Sequence, residues 1–216
     1  MLLPFLSPTP SLKICGVTTL ADTTALAELG VHALGFNFWP SSKRYCSPEI
    51  AAEIAPSVSK KILRVGVFVN NAIPLAEELI AQDLIDVVQL HGDETLDDIN
   101  HFLEQNIPVI RAVSATKLPS TPLPTRNFAL LIDTPAGSDY GGTGKTFDWS
   151  LASDFIKENP DTPVILAGGL TPENAAEALQ QVRPVALDIA SGAETAPGQK
   201  DFQKVKSLLD TITQNS

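Results

Sequence analysis

Short apolar, β-rich runs alternate along the chain with stretches of helical spacing. Eight such runs stand out: Leu12–Val17, Ala33–Phe38, Leu63–Val69, Asp86–His91, Pro108–Val113, Phe128–Thr134, Pro163–Gly169 and Val185–Ser191. Most are nearly continuous in hydrophobicity, as in Val65-Gly66-Val67-Phe68-Val69 and Ala129-Leu130-Leu131-Ile132. Strands covered on both faces read this way, so the pattern predicts a parallel sheet.

Helix signals fill the intervals. Thr18 or Thr19 can cap a helix over Ala21–Leu29, with Gly30 where a terminating glycine belongs. Ser47-Pro48-Glu49 and Thr171-Pro172-Glu173 each offer a hydroxyl cap followed by proline at the first helical position. Asp93 or Thr95 opens the segment ending near Gln105, Asp148 opens another, and Asp201–Ile212 makes the last. Lys117–Thr125 contains Pro119, Pro122 and Pro124, so the fifth helix is expected to be short or missing.

Eight βα units must share 216 residues, close to the minimum for such units, so no second domain fits. The expectation is α/β: a single (β/α)8 TIM barrel over residues 11–216, preceded by a frayed N-terminal extension at 1–10. An open doubly wound sheet is the runner-up. It usually carries a Gly-rich fingerprint after its first strand, whereas here that strand runs into Cys15-Gly16-Val17-Thr18.

Composition narrows the function. Hydrophobic residues make up 44% and charged residues 19%, which excludes a disordered chain. Lysine plus arginine number 15 against 25 aspartates and glutamates, a formal charge of −10. That argues against nucleic-acid or anionic-membrane partners, although a local cationic pocket for a small anion remains open. No apolar run approaches the ~20 residues of a membrane span. Cys15 and Cys46 form no CxxC and no metal-ligand cluster, so no metal is expected, and free thiols suit the cytoplasm.

In a barrel, chemistry collects at the C-terminal ends of the strands. There the sequence places Cys15, Asn37, Lys43 and Arg44, Asn70, Gln89 and His91, Arg111, Asp133, Gly168-Gly169, Asp188 and Ser191-Gly192. Glycine pairs in the loops after strands 7 and 8, with Gly141-Gly142-Thr143-Gly144 after strand 6, suit backbone binding of a phosphate. The fragment Gly144-Lys145-Thr146 is not a nucleotide P-loop, because the first glycine of that motif would fall on Asp139.

Several motifs in order resemble the phosphoribosylanthranilate isomerase family of tryptophan biosynthesis. They include Lys13-Ile14-Cys15-Gly16-Val17-Thr18, Ala33-Leu34-Gly35-Phe36, Arg44-Tyr45 before Ser47-Pro48-Glu49, and Val87-Val88-Gln89-Leu90-His91-Gly92. Val65–Val69, Gly141–Trp149 and Leu166–Leu170 match as well. Lys43 stands where the family often has proline, and Ala190-Ser191-Gly192 where it has Ser-Ser-Gly.

The resemblance implies an Amadori rearrangement without cofactor or metal. N-(5′-phosphoribosyl)anthranilate would become 1-(2-carboxyphenylamino)-1-deoxyribulose 5-phosphate. It implies Cys15 as general base and Asp133 as general acid, with Arg44 facing the anthranilate carboxylate and Asp188 and His91 lining the site. Gly141, Gly142, Gly144, Gly168, Gly169, Ser191 and Gly192 would serve the phosphate.

The chemistry is coherent from below. Ring opening needs an acid at the ring oxygen, and removing the C2 hydrogen needs a base. Lys13, two residues before Cys15, shares its strand face and would favour the thiolate. A metal-dependent pentose-phosphate epimerase would need two strand-end histidines, and only His91 qualifies. Indoleglycerol-phosphate synthase would need a lysine–glutamate set in place of Cys15. A silent phospho-ligand binder would not need the acid–base pair. The expected partner is a small phosphorylated substrate, handled by a monomer or homodimer.

Overall fold

The computed structural model describes residues 7, 9–120, 123–134 and 147–215. Eight strands pair in parallel and in chain order: β1 (Ser11–Cys15), β2 (Ala33–Asn37), β3 (Leu63–Phe68), β4 (Val87–Leu90), β5 (Val109–Ser114), β6 (Phe128–Asp133), β7 (Val164–Leu166) and β8 (Ala186–Ile189). The ring closes because β8 pairs back to β1, with Leu12 opposite Leu187 and Lys13 opposite Asp188. The fold is therefore the (β/α)8 barrel, and the open-sheet alternative falls. Most of the expected extension at 1–10 lies outside the described residues.

Seven α-helices are present among the described residues: α1 (Leu20–Leu29), α2 (Pro48–Ile54), α3 (Ile73–Ala81), α4 (Leu96–Glu104), α5 (Ser150–Glu158), α6 (Ala175–Val182) and α7 (Phe202–Gln214). None lies between β5 and β6, where Leu118 and Leu123 pack against the core instead. No helix among the described residues is long and apolar enough to cross a membrane.

Capping chemistry sets most helix starts. Thr19 accepts the Asp22 N–H at 3.1 Å, and Gly30 ends α1 at φ 86°. Ser47 caps α2, Thr95 and Asp98 form a reciprocal box on α4, and Asp201 accepts two N–H groups of α7. Thr171 does not cap α6 as expected. Asn174 intervenes, accepting the Thr171 N–H at 2.8 Å and donating to the Gly169 carbonyl at 3.0 Å, so residues 171–174 form a turn and the helix starts at Ala175.

Three strands stop two or three residues short of the predicted runs for a backbone reason. Gly16 (φ 76°) ends β1, and Gly168 and Gly169 (φ 86° and 62°) leave the extended region after β7. β8 ends at Ile189, ahead of a 3₁₀ turn over Ser191–Ala193. An element without a forecast follows: a hairpin of β9 (Glu194–Ala196) and β10 (Gln199–Lys200), turning at Gly198 with φ 80°.

The strands' continuous apolar runs resolve into two layers. Ala33, Val65, Val87, Ile110, Ala129, Leu131, Ile165 and Ala186 form one buried cluster inside the barrel. Leu12, Ile14, Leu34, Phe36, Val88, Leu90, Leu130, Ile132, Leu187 and Ile189 belong to a second, between strands and helices. Phe102 anchors α4 in that second layer at 0% exposure, while Leu96 on the same helix is 55% exposed. Phe102→Ala should therefore cost about 3–5 kcal/mol of unfolding free energy in urea denaturation. Leu96→Ala should stay within about 0.5 kcal/mol, and a comparable loss in both would refute the assignment of the buried face.

Candidate active site

The alternation that puts Leu131 inside the barrel also puts Asp133 inside, two residues on, where the core gives way to a cavity. The same step carries Lys13 to Cys15 on β1 and Ala186 to Asp188 on β8. Cys15, Asn37, Arg44, His91, Asp133, Gly168, Gly169, Asp188 and Ser191 all line a cavity of about 480 Å³. Most of the groups expected at the strand ends thus meet in one place, whereas Asn70, Gln89, Arg111 and Gly192 are not part of its lining.

Lys13 is fully buried, and its Nζ donates to Asp188 Oδ1 at 2.8 Å. Burial disfavours that ammonium, but Asp188 and Cys15 together outweigh burial and hold the lysine above its ordinary range. Gly35 makes room for the pair. A Cβ there would stand 2.9 Å from Cys15 Sγ and 3.1 Å from Lys13 Nζ.

Burial pushes the Cys15 thiol up, and the Lys13 cation pulls it back only in part, with Asp188 opposing. The expected cation is therefore present beside Cys15, yet its charge is largely claimed by Asp188. The balance of these groups favours the thiol of Cys15 over the thiolate.

Asp133 Oδ1 accepts the Thr134 N–H at 2.7 Å, and Oδ2 lies 3.4 Å from His91 Nε2. His91 Nδ1 in turn sits 3.0 Å from the amide nitrogen of the fully buried Gln89. His91 is thus a wall residue tied to the carboxylate expected to act as acid. Gly168 lets the loop after β7 approach that carboxylate, since a Cβ there would meet Thr134 Oγ1 at 2.1 Å and Asp133 Oδ1 at 2.8 Å.

Gly192 does not line the cavity. A Cβ on it would fall 1.8 Å from the Leu170 carbonyl oxygen, so it locks the loop after β8 against the loop after β7. Gly141, Gly142 and Gly144 lie outside the described residues. Arg111 is also absent from the cavity wall, being paired with Glu94 and donating to the Gly92 carbonyl at 3.0 Å.

Arg44 brings partners that the sequence reading missed. Its Nε and Nη2 donate to Glu194 of β9 at 2.8 and 2.7 Å, and Lys200 of β10 donates to the same carboxylate at 2.7 Å. Lys200 also donates to the Cys15 carbonyl at 2.6 Å. Burial works against the Glu194 carboxylate, but Arg44 and Lys200 hold it below the usual range. The available signal was electrostatic: an arginine at the rim of so acidic a chain needed a carboxylate partner, and Glu194 stands two residues beyond Gly192.

Comparison with known proteins adds a family. The model of N-(5′-phosphoribosyl)anthranilate (PRA) isomerase matches residues 12–211. An N-(5′-phosphoribosyl)anthranilate isomerase from Trichlorobacter lovleyi is 40% identical over 198 residues, 91% of this chain and 95% of the relative. One from Syntrophus aciditrophicus is 42% identical, covering 93% of this chain and 86% of the relative.

Among solved structures, phosphoribosyl anthranilate isomerase from Thermotoga maritima superposes with a TM-score of 0.82 at 36% identity, over 95% of this chain and 99% of that one. A phosphoribosyl anthranilate isomerase in complex with reduced 1-(o-carboxyphenylamino)-1-deoxyribulose 5-phosphate superposes at 0.78 with 33% identity, over 95% and 99%.

The thiol assignment has a direct readout. A raised pKa leaves less thiolate at any given pH, so Cys15 should react with iodoacetamide more slowly than free cysteine at pH 7.5. Its rate should still be climbing above pH 9. Cys46, pushed up to about 12 by burial, is removed as Cys46→Ser to isolate the signal. A rate plateau below pH 8 would contradict the protonated state.

Proposed function

The chain belongs to the N-(5′-phosphoribosyl)anthranilate isomerase family, and on that premise we propose how its cavity carries out the reaction. The enzyme is an isomerase of tryptophan biosynthesis. It converts N-(5′-phosphoribosyl)anthranilate to 1-(2-carboxyphenylamino)-1-deoxyribulose 5-phosphate. One observation carries the acid–base reading: Cys15 and Asp133, from non-adjacent strands, both line the cavity that Arg44 and the glycine loop after β7 also line.

In this reading Asp133 is the general acid, delivering a proton to the ribose ring oxygen as the bond from that oxygen to C1 breaks. The nitrogen lone pair moves in, leaving a cationic iminium and an Asp133 carboxylate. Cys15, as thiolate, then takes the hydrogen from C2, and the electron pair neutralises the iminium to give an enolamine. The enolamine tautomerises to the aminoketose. Because burial favours the thiol at rest, Cys15 must first give its proton to solvent, and the cation forming beside it favours that ionisation.

Asp188 holds Lys13 beneath Cys15, and His91 borders Asp133. Backbone N–H groups around Gly169 and Ser191 are assigned to the phosphate, and Arg44 to the anthranilate carboxylate on the other side of the mouth. The reaction is placed in the cytoplasm, where the free thiols of Cys15 and Cys46 stay reduced.

A turnover assay with the anthranilate substrate tests the pair. Asp133→Asn should lower kcat at least ~10²-fold, the low end for a positioned acid. Cys15→Ser should do the same, since a hydroxyl is a far poorer base than a thiolate. Near-normal turnover in either variant would show that the wrong residue is named. The carboxylate does not react, so Arg44→Ala should act mainly on KM, by roughly 10- to 150-fold.

A further inference from the structure

The β9–β10 hairpin has no part in the acid–base scheme, yet its Glu194 is heavily engaged and its side chain is only 3% exposed. It accepts from Arg44 Nε at 2.8 and 3.1 Å, from Arg44 Nη2 at 2.7 Å, from Lys200 Nζ at 2.7 Å and from the Gly198 N–H at 3.2 Å. We infer that Glu194 is a positioning residue that commits one edge of the Arg44 guanidinium and presents the other to the substrate's carboxylate. The inference rests on the reading that Arg44 receives that carboxylate.

The geometry is that of a clamp. The Nε–Nη2 edge of Arg44 is taken by Glu194, while Nη1 has no hydrogen-bond partner among the described residues and Arg44 lines the cavity. Gly16 supplies a floor, since a Cβ there would lie 2.3 Å from Arg44 Cδ. A long arginine side chain normally loses rotamer freedom when it binds. Here that freedom is already gone.

The clamp also shapes selectivity. The open Nη1–Nη2 edge matches two in-plane acceptor oxygens. A neutral carboxamide would set a donor against a donor. Arg44, Lys200 and Glu194 together carry one net positive charge, the complement of one carboxylate.

Two probes separate the possibilities: the reduced product analogue, 1-(o-carboxyphenylamino)-1-deoxyribulose 5-phosphate with its ketone reduced, and ribulose 5-phosphate, which lacks the carboxylate. Glu194→Asp keeps the charge and shortens the reach by one methylene. By calorimetry it should weaken the analogue about 10-fold and ribulose 5-phosphate by less than about 2-fold. In turnover it should raise KM more than it lowers kcat.

In an Arg44→Ala background the Glu194→Asp penalty should vanish, because the two act as one unit. Glu194→Gln, which keeps length and removes charge, should show the same coupling and serves if the aspartate variant folds poorly. A penalty that persists without Arg44, or that falls equally on both probes while Arg44→Ala spares ribulose 5-phosphate, would overturn the clamp. If instead Arg44→Ala weakens both probes equally and the coupling appears on ribulose 5-phosphate, the clamp stands and the assignment of Arg44 to the carboxylate fails.

Discussion

A closed parallel barrel wrapped in helices leaves its strands no solvated face, and this double burial governs where polar side chains can stand. Along β6, for example, both layers are apolar through Leu130, Leu131 and Ile132. Inward polar side chains stand where the interior core ends and the cavity begins, or just beneath it with a polar neighbour, as Lys13 with Asp188 and Gln89 with His91. Cys15, Asn37, His91, Asp133 and Asp188 are inward positions that fall at that boundary. The active site is thus the place where the inner layer runs out of hydrophobic neighbours.

Charges so close to the core need partners. Lys13 is fully buried and is held by Asp188; Arg44 and Lys200 share Glu194. Removing one member of a buried pair typically costs 3–5 kcal/mol, because the other is left uncompensated. The pairs therefore hold orientation as much as stability. They fix a lysine under the thiol and a guanidinium over Gly16 before any ligand arrives.

The strands and their inward residues were legible because double burial writes a continuous apolar run that local reading detects. Strand ends were less so, since the runs at Pro163–Gly169 and Val185–Ser191 include residues whose backbone has already left the sheet. The hairpin escaped because strands of three and two residues, Glu194–Ala196 and Gln199–Lys200, carry no hydrophobic period. Its only mark was Pro197-Gly198. What the sequence could not show was contact across the chain. Lys13 is visible two residues from Cys15, but the Asp188 that claims its charge is 175 residues away, and Glu194 is 150 from Arg44.

The pairing of those cations reaches beyond the cavity. Lys13, Arg44 and Lys200 meet two carboxylates between them, so this cluster keeps one net positive charge inside a chain that carries −10 as a whole. A ligand bearing both phosphate and carboxylate approaches an anionic body. Beyond the Debye length, about 10 Å at 0.1 M salt, nothing draws it in. The net charge of the chain therefore gives this ligand no long-range pull, in contrast to a steered enzyme. Attraction in this protein is a property of contact distance only, and capture depends on collisions that already happen at the mouth.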